Sequence, residues 1–343
     1  MLKLSSVCFE YKNFSINNID LIAEKDQIVC LIGSSGCGKS TLFSLISGFR
    51  KIKKGKITIN GINVDDGDRF VDVSNRYIGV VLQYPSLLPN LNILDNILFG
   101  IDKNKESIKH VSYLLDYCGI KKYINSMPDT LSGGQQQIIA ILRALIYKPN
   151  LLLLDEAFNS MDSVFKRFYR NYIKKLLKEY GVTTLLITHD HEEAMSMADT
   201  IYVMEDGSII QSGSPCQIYQ NPSSLRVAGF FGEINFIKGR YISDNFQTVW
   251  GILSKKNDQT LVIRPEGIMH SDSVIGIKCL IVDIDYIHYL LYLKIKNSNE
   301  RYVMRIIRNA NIYKIDMEIS IVINRSLIIS LKTDDITEKM LTL

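Results

Sequence analysis

Between Leu2 and about Asn60, short runs such as SSVCFEY, FSINNIDLIA and KITINGINV alternate apolar with polar residues and are broken at Lys-Asp or Gly positions. Alternation with a period of two predicts half-buried strands. QIVCLIG, ending at Gly33, is nearly all apolar and predicts a strand covered on both faces. After Lys39 the period changes. Leu42, Phe43, Leu45, Ile46 and Phe49 recur at helical spacing, so a strand, a Gly-rich turn and a helix should follow in order. Asp102 to Tyr123 and Gly133 to Tyr147 also read as helices, whereas LLLLD at Leu151 to Asp155 and TTLLIT at Thr183 to Thr188 read as buried strands. Strands separated by helices imply an α/β fold with a mostly parallel sheet.

The stretch from Ser163 to Tyr180 places Phe165, Phe168, Tyr169, Tyr172, Ile173, Leu176, Leu177 and Tyr180 on one stripe, with Lys166, Arg167, Arg170, Lys174, Lys175 and Lys178 opposite. A basic, aromatic helix could serve lipid or nucleic acid. Because buried strands flank it, the expectation is that the aromatics lie in the core and the basic residues form a solvated face. Beyond Pro222 the texture changes to short strand-like runs (TLVIRP, IGIKCLIVDI, YLLYLKI, RYVMRII, EISIVI, SLIISL), which predict a small all-β domain. Gln220 to Phe236, with NPSS and two Gly residues, reads as the linker.

Composition narrows this picture in three ways. At 343 residues the chain is too long for one hydrophobic core, favouring a large and a small domain. A formal net charge of +4 is too small a surplus to coat a polyanion, so no nucleic-acid partner is expected. The most apolar region, Val274 to Ile295, is interrupted by Lys278, Asp283 and Asp285 and does not read as a membrane span. The amino terminus lacks an apolar segment of signal-peptide length, and the six cysteines contain no CxxC pair, so a cytoplasmic chain with reduced thiols is expected.

The candidate chemistry sits at three places. GSSGCGKST, comprising Gly33, Ser34, Ser35, Gly36, Cys37, Gly38, Lys39, Ser40 and Thr41, matches GxxxxGK[ST] directly after an apolar strand and opens a helix. Its backbone N–H groups and the helix amino terminus would cradle phosphates, Lys39 would reach the β- and γ-phosphates of ATP, and Ser40 would hold Mg2+. LLLLDEA ends a buried strand in two carboxylates: Asp155 is placed to hold Mg2+ and Glu156 to polarise the attacking water. LSGGQQQ, with Ser132, Gly133, Gly134 and Gln135, opens a helix and forms a second anion site; two phosphate sites in one chain suggest a dimer.

These motifs, with VLQYPSLLPNLNILDNI and LLITHDHEEAMSMADTIYVMEDG in the same order, resemble the ATP-binding cassette family over Met1 to about Glu233. The resemblance implies a P-loop nucleotidase cassette at residues 1–235, comprising an antiparallel β subdomain and a helical subdomain near 84–150, followed by a small β-barrel-like domain at 236–343. It also implies a homodimeric ATPase at the cytoplasmic face of the membrane. The expected partners are integral membrane permease subunits and, indirectly, an extracytoplasmic substrate-binding protein.

Carried over by motif, Tyr11 resembles the aromatic that stacks on adenine, although a strand aromatic also fits the core. Gln83 resembles the glutamine that reaches Mg2+ and the attacking water, with the loop after it touching the membrane subunit. Ser132 and Gly134 would grip the γ-phosphate of the opposite protomer, Asp162 would communicate across that interface, and His189 looks like the switch histidine. Two departures stand out: Ile138 and Ile139 replace an Arg, and Asn159, Ser160, Met161 and Asp162 replace the usual Ser-x-Leu-Asp.

The junction AGFFGEINFIKG (Ala228 to Gly239), IRPEGI (Ile263 to Ile268) and the terminal β-domain resemble importers with an oligonucleotide-binding-like regulatory domain. Ferric-iron, polyamine, sulfate, molybdate and sugar importers share this arrangement, and FFGEINF with RPEGI looks most like the ferric-iron members. The competing classes fare worse. A soluble cassette ATPase acting on nucleic acid or the ribosome should show two cassettes or long heptad insertions, and a P-loop kinase would leave LSGGQQQ unexplained.

Overall fold

The computed structural model describes residues 1–11, 14–242, 245–255, 259–271, 276–296, 298–306 and 312–332. The predicted position of Val274 and Ile275 at the head of the apolar stretch lies outside them. Two compact units divide the chain, Met1–Cys216 and Gln217–Leu343.

The first unit contains two sheets. β1 (Leu2–Tyr11), β2 (Phe14–Ala23), β4 (Lys54–Ile59) and β5 (Ile62–Asp65) form an antiparallel sheet in the order β2-β1-β4-β5. β3 (Ile28–Ile32), β6 (Ile78–Val81), β7 (Leu151–Asp155), β8 (Thr184–Thr188), β9 (Thr200–Glu205) and β10 (Ser208–Gly213) form the other, in the order β10-β9-β3-β8-β7-β6. Only the β9–β10 pair in that sheet is antiparallel. The all-apolar strands occupy its middle, and every residue of β3 and β8 is buried, as a parallel sheet covered on both faces requires. Because β3, β7 and β8 run parallel, their carboxyl ends share one edge, where ligands of open α/β sheets bind.

The helices connecting these strands are α1 (Lys39–Ser47), α2 (Ile93–Ile97), α3 (Lys105–Tyr117), α4 (Gly133–Ile146), α5 (Ser163–Glu179) and α6 (His191–Met197). α3 is shorter than its apolar pattern predicted. Gly119, at φ 71°, turns the chain, and Lys121–Tyr123 forms a separate 3-10 turn.

α5 corrects a second expectation. Phe165 and Phe168 are 57% and 44% exposed, and only Tyr169 among its aromatics is buried. On the basic side Arg170 is buried, and Lys166, Arg170 and Lys174 reach α6 or the turn before it. The reason is that α6 and its cap carry acids on the side facing α5, so Lys166 and Arg170 pair with them, while Arg167, Lys175 and Lys178 stay exposed as expected.

α7 (Pro215–Gln220) spans the division between the units. The predicted linker is ordered: Ser224 caps α8 (Leu225–Phe230), its side chain accepting from the Val227 N–H at 3.3 Å, and Asn235–Phe236 pairs with Gln259–Ile263. The rest of the second unit is antiparallel β, including a five-stranded sheet around a core with Leu261, Ile281, Leu293 and Tyr302. Arg264, 4% exposed, donates to the carbonyls of Gly232 (3.0 Å) and Glu233 (3.3 Å) and lies 4.4 Å from the Tyr219 ring centroid. The IRPEGI and FFGEINF segments therefore meet.

Candidate active site

The turn between β3 and α1 needs glycine for reasons of space. A Cβ on Gly33 would lie 2.1 Å from the Met204 carbonyl oxygen, and Gly38 caps α1 at φ 115°, a region closed to most side chains. The loop folds around its own lysine. Lys39 is 6% exposed, and its Nζ donates to the carbonyl oxygens of Gly33 (2.8 Å) and Ser34 (2.9 Å). Ser34, Ser35, Gly36 and Ser40 are exposed, whereas Cys37 is buried.

At the carboxyl end of β7, Asp155 is pushed up to about 6, first by burial and then by the charge of Glu156. Glu156 itself has a left-handed backbone, φ 48°, which costs a non-glycine residue about 1–3 kcal/mol. The turn is held by the Glu156 N–H donating to Ile187 O at 2.8 Å and the Asn159 N–H donating to Glu156 O at 3.1 Å. Its carboxylate is engaged on both oxygens: His189 Nδ1 lies 3.0 Å from Oε1, and Asn159 Nδ2 donates to Oε2 at 2.6 Å. The structure thus brings together Glu156 and His189, which are distant in sequence, at the end of adjacent strands.

His189 is held through its neighbour. Asp190 caps α6 by accepting from the Glu192 and Glu193 N–H groups at 2.8 and 3.2 Å. Its other oxygen lies 2.7 Å from Lys166 Nζ, which also pairs with the fully buried Glu193 at 2.8 Å. Burial works against the charge of Lys166, but the hydrogen bonds it donates to the Asp190 and Glu193 carboxylates outweigh this and raise its pKa. Sequence patterning missed this lysine. The readable signal was the complementarity of Lys166 and Arg170, one turn apart, to the acids in HDHEE.

The remaining predicted residues lie on other elements. Ser132 caps α4 in a reciprocal pair: its hydroxyl accepts from Gln135 N–H (3.3 Å), and Gln135 Oε1 accepts from Ser132 N–H (3.0 Å). Ser132 and Gly133 are exposed, while a Cβ on Gly134 would stand 2.9 Å from Met161. Asp162 is exposed and caps α5 by accepting from Phe165 N–H. Tyr11 is 52% exposed, which removes the core reading, and the Arg50 guanidinium lies 5.3 Å from its ring centroid. Thr41 is half-buried in the first turn of α1.

Gln83 is exposed, and the loop carrying it is fastened from α2 and α4. Buried Gln137 donates to Leu82 O at 2.8 Å, Arg143 to Ser86 O at 2.8 Å, and buried Asn96 both donates to and accepts from the Leu88 backbone. Ile138 and Ile139 are fully buried, so Gln137 and Arg143 tie this helix to the Gln83 loop where an Arg was expected. Beside the loop a cavity of about 630 Å³ opens among Val80, Leu88, Phe99, Arg143 and Tyr147. Tyr84 and Phe99 nearby are 78% and 56% exposed.

Residues 16–159 match the family model described as ABC transporter. The chain is 36% identical over 267 residues to the Fe(3+) ions import ATP-binding protein FbpC of Fusobacterium nucleatum subsp. nucleatum, covering 74% of this chain and 71% of that protein. It is 38% identical over 239 residues to the spermidine/putrescine import ATP-binding protein PotA of Escherichia coli (strain K12), covering 68% and 62%. Among solved structures, the ATP-binding cassette MJ0796, a dimer in a post-hydrolysis state bound to ADP and Pi, matches with a TM-score of 0.54 and 29% identity. That match covers 63% of this chain and 99% of the other.

Proposed function

Because the chain belongs to the ATP-binding cassette transporter family, as one of its ATPases, we propose that it powers an importer whose membrane-spanning subunits are separate chains, with ferric iron as cargo. The observation that carries the chemistry is the paired Glu156 and His189 at the same sheet edge as the phosphate loop. ATP phosphates lie against the loop's N–H groups, and Lys39 exchanges its two carbonyl partners for phosphate oxygens. Glu156 orients the attacking water while His189 steadies the carboxylate and touches the γ-phosphate. Ser132, Gly133, Gly134 and Gln135 of a second protomer close over that phosphate, so the working unit is a homodimer, with Asp162 at the contact.

Mg2+ fits this site on its donor chemistry. Asp155 is a partly buried carboxylate whose raised pKa a cation would relieve, and the Ser40 hydroxyl and Gln83 carboxamide complete an oxygen-only set. When bound, it would neutralise phosphate charge as the γ-phosphoryl departs. Tyr11 supplies the adenine platform.

The cavity beside the Gln83 loop, with its exposed aromatics, supports a seat for a membrane subunit, and on this reading the protein works at the cytoplasmic face of the membrane beneath a permease fed by an extracytoplasmic binding protein. Among the described residues no helix is long and apolar enough to cross a membrane. Iron is supported by the likeness to the ferric-iron protein over 71% of its length. A polyamine cargo is the second reading, favoured by the 38% likeness to the spermidine/putrescine protein. Uptake of labelled ferric iron and of labelled spermidine, in cells with and without the protein, separates them. Loss of iron uptake that Glu156→Gln fails to restore is expected; loss of spermidine uptake alone would overturn the cargo.

A further inference from the structure

The segment after Glu156 departs from the usual Ser-x-Leu-Asp, and the structure gives the first changed residue work to do. A carboxylate held by one hydrogen bond still turns about its terminal torsion, which is broad and two-fold. Glu156 has two holders on opposite oxygens, His189 at 3.0 Å and Asn159 at 2.6 Å. Asn159 is half-buried, and its own N–H closes the turn on Glu156 O, so its amide is fixed relative to the carboxylate it grips. The two residues after it pack on the start of α4: a Cβ on Gly134 would stand 2.9 Å from Met161 Cγ, and one on Gly133 3.8 Å from Ser160 Cβ.

We propose that Asn159 is a positioning residue for hydrolysis, fixing the plane of the Glu156 carboxylate opposite His189 and tying it to the Gly133–Gly134 turn. A displacement of that turn passes through Met161 and Ser160 to Asn159 and rotates the carboxylate. The device rests on the assignment of Glu156 as the group that orients water. It works at the chemical step and leaves nucleotide binding to the phosphate loop.

The test is steady-state ATP hydrolysis and nucleotide binding by the full-length protein carrying Asn159→Ala, Asn159→Asp or Glu156→Gln. Asn159→Ala should lower kcat about tenfold with KM within twofold of the parent. Asn159→Asp keeps the size of the side chain and its aptitude for turns but cannot donate and repels the carboxylate, so its kcat should fall further, about 100-fold. In the Glu156→Gln background, Asn159→Ala should cause no additional loss, since the group it positions is gone. A turn-forming role alone predicts Asn159→Asp equal to the parent; that result, or a change confined to KM, overturns the proposal. If Glu156→Gln hydrolyses ATP at the parent rate, the assignment of Glu156 fails first and the proposal falls with it.

Discussion

The phosphate loop and the turn after β7 lie at the same sheet edge and are built on opposite plans. In the loop, nine consecutive residues supply the whole device: glycines that admit close backbone approach, and a buried lysine whose partners are the carbonyls of Gly33 and Ser34. At the acid turn, Glu156 sits in a strained left-handed conformation, and residues from three segments hold it: Ile187 on its N–H, His189 and Asn159 on its carboxylate, with Lys166 behind His189. A phosphate cradle only has to present fixed N–H groups, so local geometry suffices. A group that orients water must be aimed, and aiming needs supports from more than one direction.

The contrast predicts that the two halves fail differently, and this is the largest effect. Lys39→Ala removes the charge-assisted bonds to phosphate, worth about 3 kcal/mol together, so ATP affinity should fall on the order of 100-fold in equilibrium binding. Glu156→Gln keeps shape and loses basicity: ATP binding stays near the parent value, kcat drops about 100-fold or more, and an ATP-bound dimer accumulates. Parent-like hydrolysis by the lysine variant would break the comparison, as would a glutamine variant that stays monomeric in saturating ATP and Mg2+.

Lys166 gives a sharper, smaller test of the dispersed half. Lys166→Met leaves Glu193, fully buried, and Asp190 without their cation. Breaking a buried pair from one side costs about 3 kcal/mol, visible as a lower urea midpoint, and kcat should fall because the turn carrying His189 loses its anchor. Lys166→Arg should restore much of both. A methionine variant within about 0.5 kcal/mol of the parent, the size of an ordinary surface substitution, would mean the network is idle.

The same contrast explains what could be read in advance. The strand–turn–helix of the loop and the buried strands β7 and β8 follow from local pattern, and the structure has them where the pattern put them. Lys166 was legible only as one of six basic residues on a helix, because nothing local distinguishes a lysine facing α6 from one facing water. Gln137 and Arg143 were hidden for the same reason: their partners are backbone carbonyls of a distant loop. The motifs that resemble the ferric-iron importers teach a related lesson. FFGEINF and IRPEGI meet through Arg264 and the Gly232 and Glu233 carbonyls, a packing contact that explains their pattern without reference to any transported ion.

Asp155 offers the smallest effect, and its sign separates binding from folding. Burial and Glu156 raise its pKa in the folded chain to about 6, against about 3.9 when unfolded. Above pH 6 the folded state must hold an ionised carboxylate that the unfolded chain solvates better, so ionisation destabilises the protein when nucleotide and Mg2+ are absent. As pH falls from 6 to about 4 the folded state takes up its proton first, and the penalty disappears. The side chain is partly exposed, so solvent screening reduces the cost to about 1–2 kcal/mol. Asp155→Asn should therefore raise the thermal midpoint of the nucleotide-free protein by about 2–6 °C at pH 7.5. The gain should vanish near pH 4, and the same variant should lose Mg2+-dependent hydrolysis. Stability that stays constant across this pH range, or a variant less stable than the parent at pH 7.5, would show that Asp155 is not held at a cost in the empty site, and would remove the electrostatic reason for placing the cation there.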